Sequence, residues 1–160
     1  MTNEQLEASI QPQTQPQQLA ETITVKRMLA EHIGLAWDLI AAFIKADSPT
    51  ISERGLQEIL MSCLQGNTLC LSIVKDNKLS GFILAAPNIN YLGTSELIIN
   101  QIFSDPLSDG QVRLIIDRLK GVAKSLELKS LSCYVSKEEM IKLLAEGGAD
   151  ISCHYVKMEV

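Results

Sequence analysis

From Ile23 onward, apolar residues follow two rhythms. Some stretches are short and rich in β-branched and apolar side chains; others repeat at three- and four-residue steps. The first kind covers Ile23 to Met28, Thr68 to Val74, Leu79 to Ala86, Glu96 to Phe103, Leu128 to Val135 and Ser152 to Glu159, and predicts six strands. The second kind predicts helices. His32 to Ala46 carries Ile33, Ala36, Trp37, Ile40 and Ile44 along one side. Ser52 caps a helix that runs to about Leu64, with Glu53 in its first turn. Val112, Ile115, Ile116, Leu119, Val122 and Ala123 mark a third helix. A short fourth follows Ser136 and closes at Gly147-Gly148. Lys75-Asp76-Asn77-Lys78 is turn-forming and makes a hairpin of the strands beside it, while Pro87 to Gly93 reads as a loop. The order β-α-α-β-β-β-α-β-α-β predicts an α/β (α+β) fold, a mixed sheet with helices on both faces.

Residues before Thr22 obey neither rhythm. The run from Met1 to Glu21 is Gln-rich, contains Pro12 and Pro16, and has few large apolar residues. It cannot bury enough apolar area to offset the entropy of ordering. The chain therefore divides into a tail, 1–21, and a domain, 22–160. The tail is expected to be disordered alone, or ordered by docking on a protein partner or a second copy of the chain.

Composition narrows the classes. At 160 residues and 46% hydrophobic content, the chain can bury a core without disulfides or metals. A formal net charge of −5 and the lack of a basic run argue against nucleic acid as a partner. No apolar run approaches the ~20 residues of a membrane span, and the N-terminus does not read as a signal peptide. A cytoplasmic protein is expected. Cys63, Cys70, Cys133 and Cys153 form no CxxC pair and sit among apolar neighbours, so they read as buried free thiols, with no metal site.

The chemically suggestive stretch is Thr94 to Ser125, a strand that turns through Ser104-Asp105-Pro106-Leu107-Ser108-Asp109-Gly110 into a helix. Such a helix aims unpartnered N–H groups and a positive dipole end at the strand's end, which suits an anion. With this element order, and Gly81-Phe82-Ile83-Leu84 after a hairpin turn, the chain resembles the GNAT superfamily of acyl-CoA-dependent N-acetyltransferases over roughly Ile23 to Val160. The resemblance implies a pantetheine arm between strands four and five. It also implies a pyrophosphate on a Gln/Arg-x-x-Gly-x-Gly/Ala loop. The matching segment is Leu107-Ser108-Asp109-Gly110-Gln111-Val112. Gly110 keeps the central glycine, but Leu107 and Val112 depart from the pattern, and a β-branched residue crowds close approach. Asp105 and Asp109 add negative charge, and Asp109 is expected to cap the helix. Near the end of the chain, Gly148 matches the family's turn glycine, Ala149 replaces its Phe, and Leu144 stands where many members have a proton-donating Tyr. Tyr134 and Tyr155 are the remaining phenols.

Two functions follow as expectations. The first is a non-catalytic GNAT-like interaction or assembly module, without cofactor, whose tail docks on a partner. GNAT-like domains with degraded motifs occur in phage-encoded proteins, so the resemblance admits a virion or assembly component. The alternative is an active acetyl-CoA-dependent N-acyltransferase. There Glu96 would be the general base, sharing strand parity with Asn100, and the backbone amides of Gly110, Gln111, Val112 and Arg113 would hold the pyrophosphate. A sensor of a small acyl or amine ligand is a third. Gln101 has the opposite parity. Arg113, Arg118, Lys120 and Lys124 read as a solvated helix face, with no designed pairing around Asp117. His32 and His154 read as incidental.

Overall fold

The structure, a computed structural model, describes residues 22–89, 93, 95–134 and 138–148, with only the backbone of 139 and 140. The tail 1–21 and the expected last strand from Ser152 to Glu159 lie outside the described residues, as do Ser136, Cys153, His154 and Tyr155. The elements are β1 (Ile23–Arg27), α1 (Ala30–Leu35), α2 (Trp37–Asp47), α3 (Glu53–Leu64), β2 (Leu69–Lys75), β3 (Lys78–Ile89), β4 (Ser95–Ser104), α4 (Asp109–Ser125), β5 (Ser130–Cys133) and α5 (Glu138–Glu146). The strands stand in the order β1-β2-β3-β4-β5. The first three pairings are antiparallel; β4 and β5 are parallel, joined by a crossover through α4.

The hairpin expected at Lys75 to Lys78 forms because Asp76 and Asn77 both take positive φ, 48° and 62°, which these residue types tolerate. Asp76 also fixes the start of β1: its amide donates to the Thr22 carbonyl at 3.1 Å and its carboxylate accepts from the Thr22 amide at 3.2 Å.

Strand alternation divides the core between the two faces. Leu69, Leu71, Ile73, Ile83, Ala85, Leu97 and Ile99 pack with Ile115, Leu119 and Ala123 of α4. Cys70, Phe82, Leu84 and Phe103 pack with Ile33, Ile40, Ile44, Leu56 and Cys63 of α1 to α3. Helices thus cover both faces, as the order of elements predicts. Phe43 meets Phe82 edge-on, with ring centroids 5.6 Å apart, a favoured aromatic geometry.

Three boundaries differ from expectation. The helix predicted over His32 to Ala46 is two helices, broken at Ala36, where the backbone takes φ −95° and ψ 4°. The break follows Gly34, a poor helix former. Pro87 lies inside β3 rather than opening a loop, and pairs with Leu97. The pairing of β2 ends at Ala85, so β3 has only β4 beside it here and the missing proline donor breaks no ladder on the β2 side. β5 is only four residues long, and Leu128 precedes it as a buried residue.

Candidate functional site

The site is assembled where β4 hands over to α4. Gly81 of β3 pairs with Ser104, and the two backbones approach so closely that a Cβ on Gly81 would stand 2.1 Å from the Phe103 carbonyl oxygen. Next, the Asp105 amide donates to the Ser80 carbonyl at 3.0 Å, and the buried Ser80 hydroxyl donates to the Asp105 carboxylate at 3.3 Å. The first acidic residue of the turn is therefore tied to β3. Leu107 packs partly against the α4-side core.

Ser108, not Asp109, caps α4. The Ser108 hydroxyl accepts from the Gln111 amide at 3.3 Å, and the Gln111 side chain accepts from the Ser108 amide at 3.0 Å. This is a capping box, and Ser108-Asp109-Gly110-Gln111 carries its S-x-x-Q signature. That signal was legible in the sequence and outweighs the single carboxylate of Asp109, which sits exposed in the first turn. Gln111 is 5% exposed, so this reciprocal bond is partly sealed into the fold.

The cap settles where the amides go. The Gln111 amide is taken by the Ser108 hydroxyl, and the Val112 amide donates to the Ser108 carbonyl at 3.0 Å. Arg113 lies one residue further, inside the helical ladder. Of the four amides expected as anion donors, only that of Gly110 precedes the ladder without a role in the cap. Gly110 is exposed, and a Cβ there would meet nothing nearer than the Ser108 hydroxyl at 4.0 Å. The Arg113 guanidinium donates to Glu146 at 2.8 Å, joining α4 to α5. Lys120 pairs with Asp117 at 3.7 Å, so the helix face does carry a designed i,i+3 pair.

Along β4, the register shifts between Leu84 and Ala85: Leu84 opposes Gln101, while Ala85 opposes Ile99. Asn100 is the extra residue of a β-bulge. The bulge reverses the parity that the sequence suggested. Leu97 and Ile99 face the α4-side core, whereas Phe103 lies in the opposite core. Gln101, opposite Leu84 and bonded to the end of α2, therefore shares a face with Glu96 instead of taking the opposite one. Glu96, half-buried, accepts a hydrogen bond from the Asn88 side chain at 3.0 Å and pairs in register with Asn88 and Ser130. It stands eight residue steps before Ser104, roughly 26 Å of strand from the turn into α4. Gln101 donates to the Asp47 carboxylate at the end of α2.

β4 and β5 pair only from Glu96↔Ser130 to Ile99↔Cys133. Beyond that point, Asn100 to Ser104 has no strand on its β5 side among the described residues. Tyr134 follows the last pair and is 75% exposed. Leu144, at the position of the family's phenol, is a half-buried residue of α5.

No protein-family model matches the sequence, and no curated protein matches it. Solved structures do match. One is a probable acetyltransferase: TM-score 0.65, 14% identity, 86% of this chain and 96% of that one. Another is an aminoglycoside acetyltransferase from an uncultured soil metagenomic sample, in complex with sisomicin: TM-score 0.67, 10% identity, 86% and 96%. A third is an aminoglycoside N-acetyltransferase in complex with CoA: TM-score 0.61, 14% identity, 88% and 94%. The chain has the GNAT acetyltransferase fold. Within this GNAT fold the bulge at Asn100, the parting of β4 from β5 and the start of α4 lie along one strand–turn–helix path.

The other candidates lie apart from this path. His32 is exposed and contacts Glu31 at 3.7 Å. Cys63 and Cys70 are buried free thiols, as expected, but Cys133 is exposed. Among the described residues no group of three or more His, Cys, Asp or Glu side chains is placed to hold a metal, and no helix is long and apolar enough to cross a membrane.

Proposed function

We propose that this GNAT fold serves as a non-catalytic interaction or assembly module, with the tail 1–21 engaging a protein partner or a second copy of the chain. The observation that carries this reading is the capping box. Ser108 and Gln111 satisfy each other at the place where a pyrophosphate would need bare donors. The neighbouring ionised side chains of the turn are carboxylates, Asp105 and Asp109, and the nearest guanidinium, Arg113, is engaged by Glu146. A dianion would have to displace the cap and sit beside like charge, which costs about 1 kcal/mol per close pair even in water. These residues fit acetyl-CoA poorly.

Calorimetric titration with acetyl-CoA and with CoA tests this directly. The expected result is no saturable heat up to millimolar ligand, and micromolar binding would overturn the proposal. Loss of partner capture or self-association on deleting 1–21 tests the second half.

A specific observation favours a second reading, an active acetyl-CoA-dependent N-acyltransferase. The structural neighbours are acetyltransferases, one of them solved with CoA, and Gly110 leaves open space before the helix. Under this reading Glu96 is the base and the Gly110 amide a phosphate donor. It requires that acetyl-CoA raise the melting temperature and that Glu96→Gln lower turnover without shifting that temperature.

A further inference from the structure

On the face of the sheet away from α4, a cavity of about 110 Å³ lies between α1, α3 and the β1–β2 pair. Three sulfur-bearing side chains line it: Met28, Cys63 and Cys70. The Met28 amide donates to the Cys70 carbonyl at 2.9 Å, which holds the two residues side by side, and the Cys70 thiol stands 3.8 Å from the Met28 sulfur. Cys70 is 1% and Cys63 5% exposed, so water competes weakly for them. The cavity's one hydroxyl, on Thr68, is already bonded to Ser62 at 2.7 Å. Arg27 also lines the cavity, so the uncommitted side chains able to ligate a metal there are the three sulfurs.

We propose that Met28, Cys63 and Cys70 form a binding site for a soft monovalent cation, copper(I). Thiolate and thioether ligands select such an ion, while zinc prefers four thiolate, imidazole or carboxylate ligands that this cavity does not hold. The spacing agrees. Two sulfurs each ~2.3 Å from one metal in trigonal or tetrahedral geometry stand roughly 3.8–4.0 Å apart. Binding is a proton exchange without redox change. The two S–H bonds break, two copper–thiolate bonds and one dative thioether bond form, and two protons leave to buffer.

The test uses the full chain carrying Cys133→Ser and Cys153→Ser, so that other thiols do not contribute. It is mixed without oxygen with the coloured copper(I)–bicinchoninate complex. The expected result is transfer of one equivalent of copper, an all-sulfur first shell by X-ray absorption, and at least tenfold weaker transfer in Met28→Leu. Cys63→Ser and Cys70→Ser should abolish transfer. Because either serine variant could misfold, the isosteric Met28→Leu, checked by thermal melting, carries the decision independently. Absence of transfer to the folded parent would overturn the proposal, as would transfer that Met28→Leu leaves unchanged or a first shell containing nitrogen or oxygen.

Discussion

Gly81→Ala should be the most damaging single-methyl addition in this fold. The new Cβ would lie 2.1 Å from the Phe103 oxygen and 2.7 Å from the Ser104 Cα. Ordinary carbon–oxygen contacts begin near ~3.3 Å, so β3 and β4 would have to part by about 1 Å. The obstacle is backbone, and no rotamer change relieves it. Overpacking of this kind costs about 3 kcal/mol, at the upper end of its usual range. For a chain of this length that lowers Tm by roughly 6–12 °C. Gly121→Ala is the matched control. It adds the same methyl to an exposed position of α4 where a Cβ meets nothing, and helix propensity should make it stabilising by about 0.4–1 kcal/mol. Urea unfolding followed by circular dichroism measures both, with m-values compared to confirm that the midpoint shift is a stability change. If Gly81→Ala loses less than about 0.5 kcal/mol, or if the two variants move the midpoint the same way, the register between β3 and the end of β4 is misassigned.

Further outcomes follow from the same contacts. Ser108→Ala removes the cap of α4 and should cost about 1 kcal/mol, while Ser108→Gly should cost only a few tenths; no loss in Ser108→Ala by thermal melting would show that the hydroxyl is not the cap. If the cap is what bars phosphate, Ser108→Gly should also bind CoA more tightly than the parent by calorimetry. Arg113→Ala should change stability by no more than about 1 kcal/mol, because its bond to Glu146 is solvent-screened, with side chains 46% and 67% exposed. Burial, and then the neighbouring Cys63, pushes the Cys70 thiol up to about 12. A thiol raised on folding stabilises the protein below its unfolded value near 9, and that stability is lost as pH climbs from there toward 12. Cys70→Val should therefore flatten the alkaline fall in urea midpoint relative to the parent.

The two apolar rhythms were sufficient for the element order as far as α5, apart from the break at Ala36, and for helices on both faces, because each depends on local spacing and the core simply collects it. β2 and β3 show this: residues 69, 71, 73, 83 and 85 go one way, and 70, 82 and 84 the other. What the sequence concealed depends on pairing across strands. The bulge at Asn100 exists only because Ala85 opposes Ile99 while Leu84 opposes Gln101, and nothing within Glu96 to Phe103 announces it. The pairing with β2 ends before Pro87, so proline could continue a strand that local rules would end there. The α4 cap is a different case. Two adjacent residues of the turn, Ser108 and Asp109, were both competent caps, and the Gln three positions after the serine was the deciding signal. At the candidate site, Gly110, the departures at Leu107 and Val112 and the capping signature that takes up the Gln111 amide were legible; the tie of Asp105 to Ser80 across strands was not.

Among the described residues, each strand from β2 to β5 lies beside the strand that precedes it in the chain. Chain growth on a ribosome, proceeding from the N-terminus, would thus deliver each of these strands onto the neighbour made just before it. Two of these steps must wait for a long loop to close: β1 to β2 through α1, α2 and α3, the longer of the two, and β4 to β5 through α4. Among the described strands, the hairpins β2–β3 and β3–β4 should accordingly form first, and the pairing of β1 with β2 should be the slowest.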